Sequence, residues 1–202
     1  VVKTGSRTEV KEAQRAIEKY WHNDYIPKRE KASANFVVFL EEIRHFNKIK
    51  DIDHQYYFIN TLKWSLMVIG KENFKEWSEF FLKQIQNNSG KIRQATINAI
   101  DYLILDSTID IKFGPYKKMT QKQKEESRKI KDQFGNFVFK VIGLQEKYNQ
   151  SKFNRYKYIS SLPAGIYKSI TKLIREVLLR SEHYEELYYN WLKNRNILSS
   201  RL

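Results

Sequence analysis

Cysteine is absent from this 202-residue chain. That excludes disulfide staples, thiolate metal sites and cysteine nucleophiles, and makes a reducing cytoplasm the expected home. Glycine and proline are scarce as well, seven and three residues; strands need the turns these residues supply, so the shortage favours helices. Long apolar runs are missing too. The longest, such as Phe36 to Leu40, fall far short of a bilayer span, and no membrane is expected. No glycine-rich phosphate loop, nucleophile elbow or zinc signature occurs, and the histidines at 22, 45, 54 and 183 have no catalytic spacing. Glu42-x-x-His45 has the spacing of a di-iron helix pair, but the second such pair that a site needs is missing. Neither catalysis nor a cofactor nor a metal is therefore expected. No signal-peptide pattern opens the chain, and a start at Val1-Val2 is what a fragment or a trimmed chain would give.

What the chain has in excess is positive charge. Lys and Arg outnumber Asp and Glu by 37 to 23, a formal net charge of +14. The surplus is segregated: +4 over residues 1–50, −1 over 51–107, +8 over 108–160 and +3 over 161–202. Segregated positive charge is an electrostatic footprint for nucleic acid or another polyanion. A Lys-, Ile- and Asn-rich composition also produces lysines that only solvate helix faces, and both readings stand at this level.

The strongest local pattern runs from Asn87 to Asp106. A turn, Asn87-Asn88-Ser89-Gly90, leads into Ile92, Ala95, Thr96, Ala99, Ile100, Leu103 and Ile104, the i, i+3, i+4, i+7 spacing of an amphipathic helix. Small residues in mid-stripe let neighbouring helices approach closely. The run Ile92-Arg93-x-Ala95-Thr96-x-x-Ala99-Ile100 resembles the second helix of a HEAT repeat. That resemblance implies an α-solenoid of stacked helix pairs and says little about chemistry. The region from Trp64 to Arg93 is also loosely similar in layout to HEAT-like DNA alkylation-repair glycosylases, which use aromatic and aspartate residues on a concave side. Trp64 is followed here by Ser65-Leu66-Met67, so the aspartate that the resemblance implies is lacking.

The remaining stripes give about eight helices in one domain over residues 1–202. Thr8 is the expected cap of a first helix burying Val10, Ala13, Ile17, Tyr20 and Trp21. A second, from Lys28, carries Phe36, Phe39, Leu40, Ile43 and Phe46. A third, capped by Asp51 or Asp53, has the stripe Ile52, Tyr56, Ile59, Leu62, Leu66 and Ile69, with Phe58 off it, so neighbours should flank it on both sides. A fourth opens on Asn73-x-x-Glu76 and buries Phe74, Trp77, Phe81 and Ile85. After a looser junction at 107–119, Thr120-x-x-Gln123 caps a long helix. Its half from Gln121 to Lys129 lacks large apolar residues and should project into solvent or fray, and Gly135 should bend or weaken it. A linker at 145–160 follows. Then Leu162-Pro163 starts a helix lined by Ile166, Ile170, Leu173, Ile174, Val177 and Leu178, and a last one holds Tyr184, Leu187, Tyr188, Trp191 and Leu192. No second copy of the Ile92 pattern recurs at a fixed spacing, so an irregular helical bundle is the alternative to a solenoid.

Two basic stretches are candidate nucleic-acid sites. Lys117 and Lys118 are followed by Lys122, Lys124, Arg128, Lys129 and Lys131, of which Lys124, Arg128 and Lys131 share one helix face, interrupted by Glu125 and Glu126. Lys147, Lys152, Arg155, Tyr156 and Lys157 interleave cations with aromatics, which can stack bases while neutralising phosphates. The structural alternative is a solvated face for the first and a linker with tucked aromatics for the second. The leading expectation is a non-enzymatic, helical-repeat-like interaction or scaffold protein with a protein or peptide partner. A basic nucleic-acid-binding protein of the HEAT-like repair type is its competitor.

Overall fold

A computed structural model describes residues 4–20, 43–65, 74–107, 120–148 and 162–180, with the single positions 186, 189 and 193. Among these residues are six α-helices, two 3-10 turns and no strand, an all-α fold. The expected helix from Lys28, the junction with Lys117 and Lys118, the stretch 149–161 and most of the last helix lie outside the described residues. The chain divides into two compact units, Val1–Leu103 and Ile104–Leu202.

In the first unit, helix α1 spans Arg7–Tyr20. Its cap is Ser6 and not Thr8: Glu9 N–H donates to Ser6 Oγ at 3.4 Å and Ser6 N–H donates to Glu9 Oε2 at 2.7 Å. Ser-x-x-Glu closes this reciprocal box because only the residue three before an acid can exchange both bonds with it. The bonds from Ser6 hold the Glu9 carboxyl below its usual range. Helix α2, Ile52–Ser65, begins at Asp51, whose Oδ1 accepts His54 N–H at 2.9 Å. Tyr57, Phe58, Ile59, Thr61 and Leu62 are all buried, more than one stripe's width, as a centrally packed helix requires. Ile52 departs from its expected place. It is 50% exposed, because it is the first helical residue and lies before the packed turns.

Helix α1 packs on α2. Val10 is buried, Gln14 Nε2 donates to Tyr57 O at 3.0 Å, and His54 Nε2 donates to Gly5 O at 2.7 Å. The 3-10 turn Phe46–Lys48 and helix α3, Phe74–Gln84, complete an aromatic cluster. Phe46 meets Phe58 at 5.8 Å and Phe80 at 5.1 Å; Phe80 meets Phe81 at 5.2 Å, and Phe81 meets Trp77 at 4.1 Å between centroids. Each such pair contributes about 0.5–1.5 kcal/mol beyond the area it buries.

The end of α3 leaves four carbonyls without helical partners, and the turn answers all four. Phe81 O accepts Ile85 N–H, Leu82 O accepts Gln86 Nε2, Lys83 O accepts Gln86 N–H, and Gln84 O accepts Asn87 N–H, at 2.7 to 3.1 Å. Helix α4, Gly90–Ser107, then starts from Ser89. Its Ile92, Ala95, Thr96, Ala99 and Ile100 are fully buried, and Thr96 satisfies its hydroxyl by donating to Ile92 O at 2.8 Å. The side of α4 expected to be wedged among neighbours is therefore the dry one.

In the second unit, helix α5 spans Gln121–Lys147 and opens at Thr120, whose carbonyl accepts Lys124 N–H at 3.0 Å. Its C-terminal half is held by buried Phe137, Val138, Val141 and Ile142. Gly135 is buried within the unbroken helix. Helix α6, Leu162–Glu176, carries its proline in the first turn, where a missing N–H costs nothing. Its stripe of Ile166, Ile170, Leu173 and Ile174, continued by Val177 and Leu178, is buried. At about 1.5–3 kcal/mol for each large side chain fully buried, this stripe suffices to hold α6 to α5, against which it packs. Gln145 Nε2 adds a bond to Thr171 Oγ1 at 3.3 Å.

Candidate nucleic-acid interface

Helix α5 is long enough to present two sides for different uses. At 1.5 Å per residue its 27 residues extend about 40 Å. Lys122, Lys129, Lys140 and Lys147 are all exposed. Their separations of 7, 11 and 7 residues are close to whole numbers of 3.6-residue turns, so the four fall within about 20° of one line along the helix. This line lies on the side of the helix opposite buried Val138 and Ile142. Lys129 donates to Glu125 at 2.7 Å, which offsets part of its charge. Lys122, Lys140 and Lys147 make no ion pair among the described residues, and Lys147 Nζ stands 5.3 Å from the Tyr148 ring centroid.

The expected row of Lys124, Arg128 and Lys131 follows a different line. Continued along the helix it reaches Gly135, Val138 and Ile142, all buried. Lys124 is accordingly half-buried, Arg128 is exposed, and the Lys131 side chain lies outside the described residues. Of the second expected group only Lys147 is described; Lys152, Arg155, Tyr156 and Lys157 lie outside, as do Lys117 and Lys118. Lys140 is not among the expected residues. The signal that finds it is the 7-11-7 spacing, legible only once one knows which side of α5 is dry.

Helix α6 carries a shorter row on the side away from its own buried stripe. Lys168 and Arg175 are exposed and Lys172 is half-buried, at i, i+4 and i+7. Lys172 approaches Glu176 at 3.7 Å. Each of these exposed pairs is worth well under 1 kcal/mol, so the rows stay available to an outside anion.

The first unit handles charge differently. Arg44 grips Glu76 with two bonds, 2.7 and 3.0 Å, and Lys91 of α4 donates to Asp53 at the start of α2 while lying 4.9 Å from the Tyr56 ring centroid. The bonds from Lys91 and Arg44 hold the Asp53 and Glu76 carboxyls below their usual range. Arg93 is turned inward: its Nη1 donates to Asn87 O at 2.7 Å and Asn88 O at 2.9 Å. Burial pushes its guanidinium down from the ordinary arginine value. The arginine at the position of the glycosylase resemblance thus pins the α3–α4 turn, while the Trp64 side chain lies outside the described residues.

Among the described residues no three His, Asp or Glu side chains gather as metal ligands, and no helix is long and apolar enough to cross a membrane. No family model, no curated protein and no solved structure matches the chain. The HEAT-repeat and glycosylase resemblances rest on the quoted residues alone.

Proposed function

We propose that the chain is a non-catalytic helical interaction protein whose second unit binds nucleic acid through charge. The observation that carries this reading is the single exposed line of Lys122, Lys129, Lys140 and Lys147 along α5. It belongs to a unit whose sequence carries +10 of the net +14. A polyanion gains from such a line because each neutralised phosphate releases condensed counterions, a favourable entropy that needs no sequence reading. HEAT-like pairing of helices is the architecture we propose around it, supported by the dry small-residue side of α4.

A salt titration tests the reading. Four phosphate contacts imply that affinity for an arbitrary oligonucleotide, followed by fluorescence anisotropy, falls about 50- to 150-fold between 50 and 200 mM salt. Changing the four lysines to glutamate should abolish binding at low salt. Absence of binding by the unaltered chain at low salt would sink the proposal.

A protein or peptide partner is the second reading, and a cleft in the first unit favours it. About 640 Å³ is lined by Asn47, Gln55, Gln84, Asn87 and Asn88 among others, within the range of ligand pockets. Amide side chains offer a donor and an acceptor together, as a peptide backbone does. Titration with an unstructured peptide library, scored against an Asn47→Ala and Asn88→Ala double variant, tests it.

A further inference from the structure

Among the described residues of α5, one large apolar side chain is exposed. Phe139 is 36% exposed, adjacent to Lys140 and one turn before Gly143. A lone exposed phenylalanine is ordinary; its surroundings set this one apart. Side chains on a helix lean toward its N-terminus, so a residue at 143 would cover the turn that holds Phe139. Gly143 leaves that turn bare, and a Cβ built on it would meet nothing within 4 Å. Glycine inside a helix costs about 1 kcal/mol relative to alanine, and neither packing nor a turn requires it here. What a bare glycine does permit is close approach of a ligand to the helix backbone.

We propose that Phe139 is a stacking platform for an unpaired base, so that the nucleic acid held by α5 is single-stranded. This rests on the reading of α5 as a nucleic-acid interface. The base lies on the Phe139 ring, the strand passes over Gly143, and Lys140 and Lys147 neutralise the phosphates on that path, about 10 Å apart along the axis at 1.5 Å per residue. Stacking on an aromatic ring needs a base face that is not already covered by its neighbours, which a single strand offers and an intact duplex does not.

The test uses the full chain, an oligothymidylate and a mixed-sequence duplex of equal length, followed by fluorescence anisotropy at low salt. The single strand should bind more tightly. Phe139→Ala should weaken single-strand binding about 5- to 150-fold and leave duplex binding within about twofold, as no phosphate contact is lost. Phe139→Trp should retain single-strand binding, and Gly143→Leu, which covers the ring, should weaken it. Circular dichroism checks that each variant keeps its helix content. Binding of both nucleic acids with no effect of Phe139→Ala overturns the stacking proposal and leaves the charge reading intact. Binding of neither overturns both.

Discussion

The two units use the same kinds of side chain to opposite ends. In Val1–Leu103 lysine and arginine ion pairs reach across the sequence, Arg44 to Glu76 and Lys91 to Asp53, 32 and 38 residues apart. In Ile104–Leu202 they are local i,i+4 pairs, Lys129 with Glu125 and Lys172 with Glu176. The cores differ in the same way. The first is built on a chain of aromatic contacts from Phe58 to Trp77, the second on aliphatic stripes with Phe137 among them. Charge in the first unit ties segments together, whereas charge in the second lies along helix surfaces, where it contributes little to folding and is open to a partner.

The largest blow to that contrast would come from the aromatic cluster. Phe81→Ala should destabilise by about 3–5 kcal/mol and erase much of the near-ultraviolet circular dichroism; a signal that survived would mean the cluster is not what orders the first unit. Arg93→Ala is expected to cost about 1.5–3 kcal/mol in a urea titration, because two charge-assisted bonds to the Asn87 and Asn88 carbonyls go with it. Arg93→Lys should recover part of this, since both bonds come from the one Nη1 nitrogen and an ammonium, itself with three N–H donors, can serve two carbonyls from a shorter stem.

Acid offers a gentler probe. The carboxyls of Glu9, Asp53 and Glu76 are held below their usual range by their hydrogen-bond donors. A lowered folded value means stability that is present above the ordinary carboxylate range and lost as pH falls through the folded value. Backbone hydrogen-exchange protection factors in the first unit, corrected for the slower intrinsic exchange in acid, should therefore fall on acidification. The Arg44–Glu76 pair is largely exposed, so Glu76→Gln should remove about 0.2–1 kcal/mol at neutral pH and blunt the acid response. The smallest effect sharpens the other side of the comparison. Gly143→Ala meets open space and should stabilise α5 by about 0.5–1 kcal/mol, seen as a small rise in melting temperature.

Much of the fold is legible in the residues alone. The described parts of the α4 and α6 stripes lie inward as their spacing predicts, because aliphatic side chains at 3.6-residue intervals have one way to leave water. The cap of α1 falls two residues before the expected Thr8, since Thr8 and Ser6 are chemically alike and only the partner acid distinguishes them. Periodicity puts Ile52 in a core that does not reach the first residue of α2. The α5 interface is half legible. Lys147 stands out from its aromatic neighbours, but the wet line through Lys140 does not, because the half of the helix before Lys129 is polar all round and gives no hint of its orientation.

Composition and periodicity thus determined on their own that this chain is all-helical, that its positive charge concentrates in the later half, and which face of α4 goes inward. These properties follow from each segment's own preference for burial and from counting charges. Only the tertiary structure decided that Arg93 turns back onto a turn, that Lys91 seeks Asp53, and that four lysines spread over 26 positions share one line. Pairings between distant segments, and the rotation of a helix with a polar half, depend on what the rest of the chain packs against them.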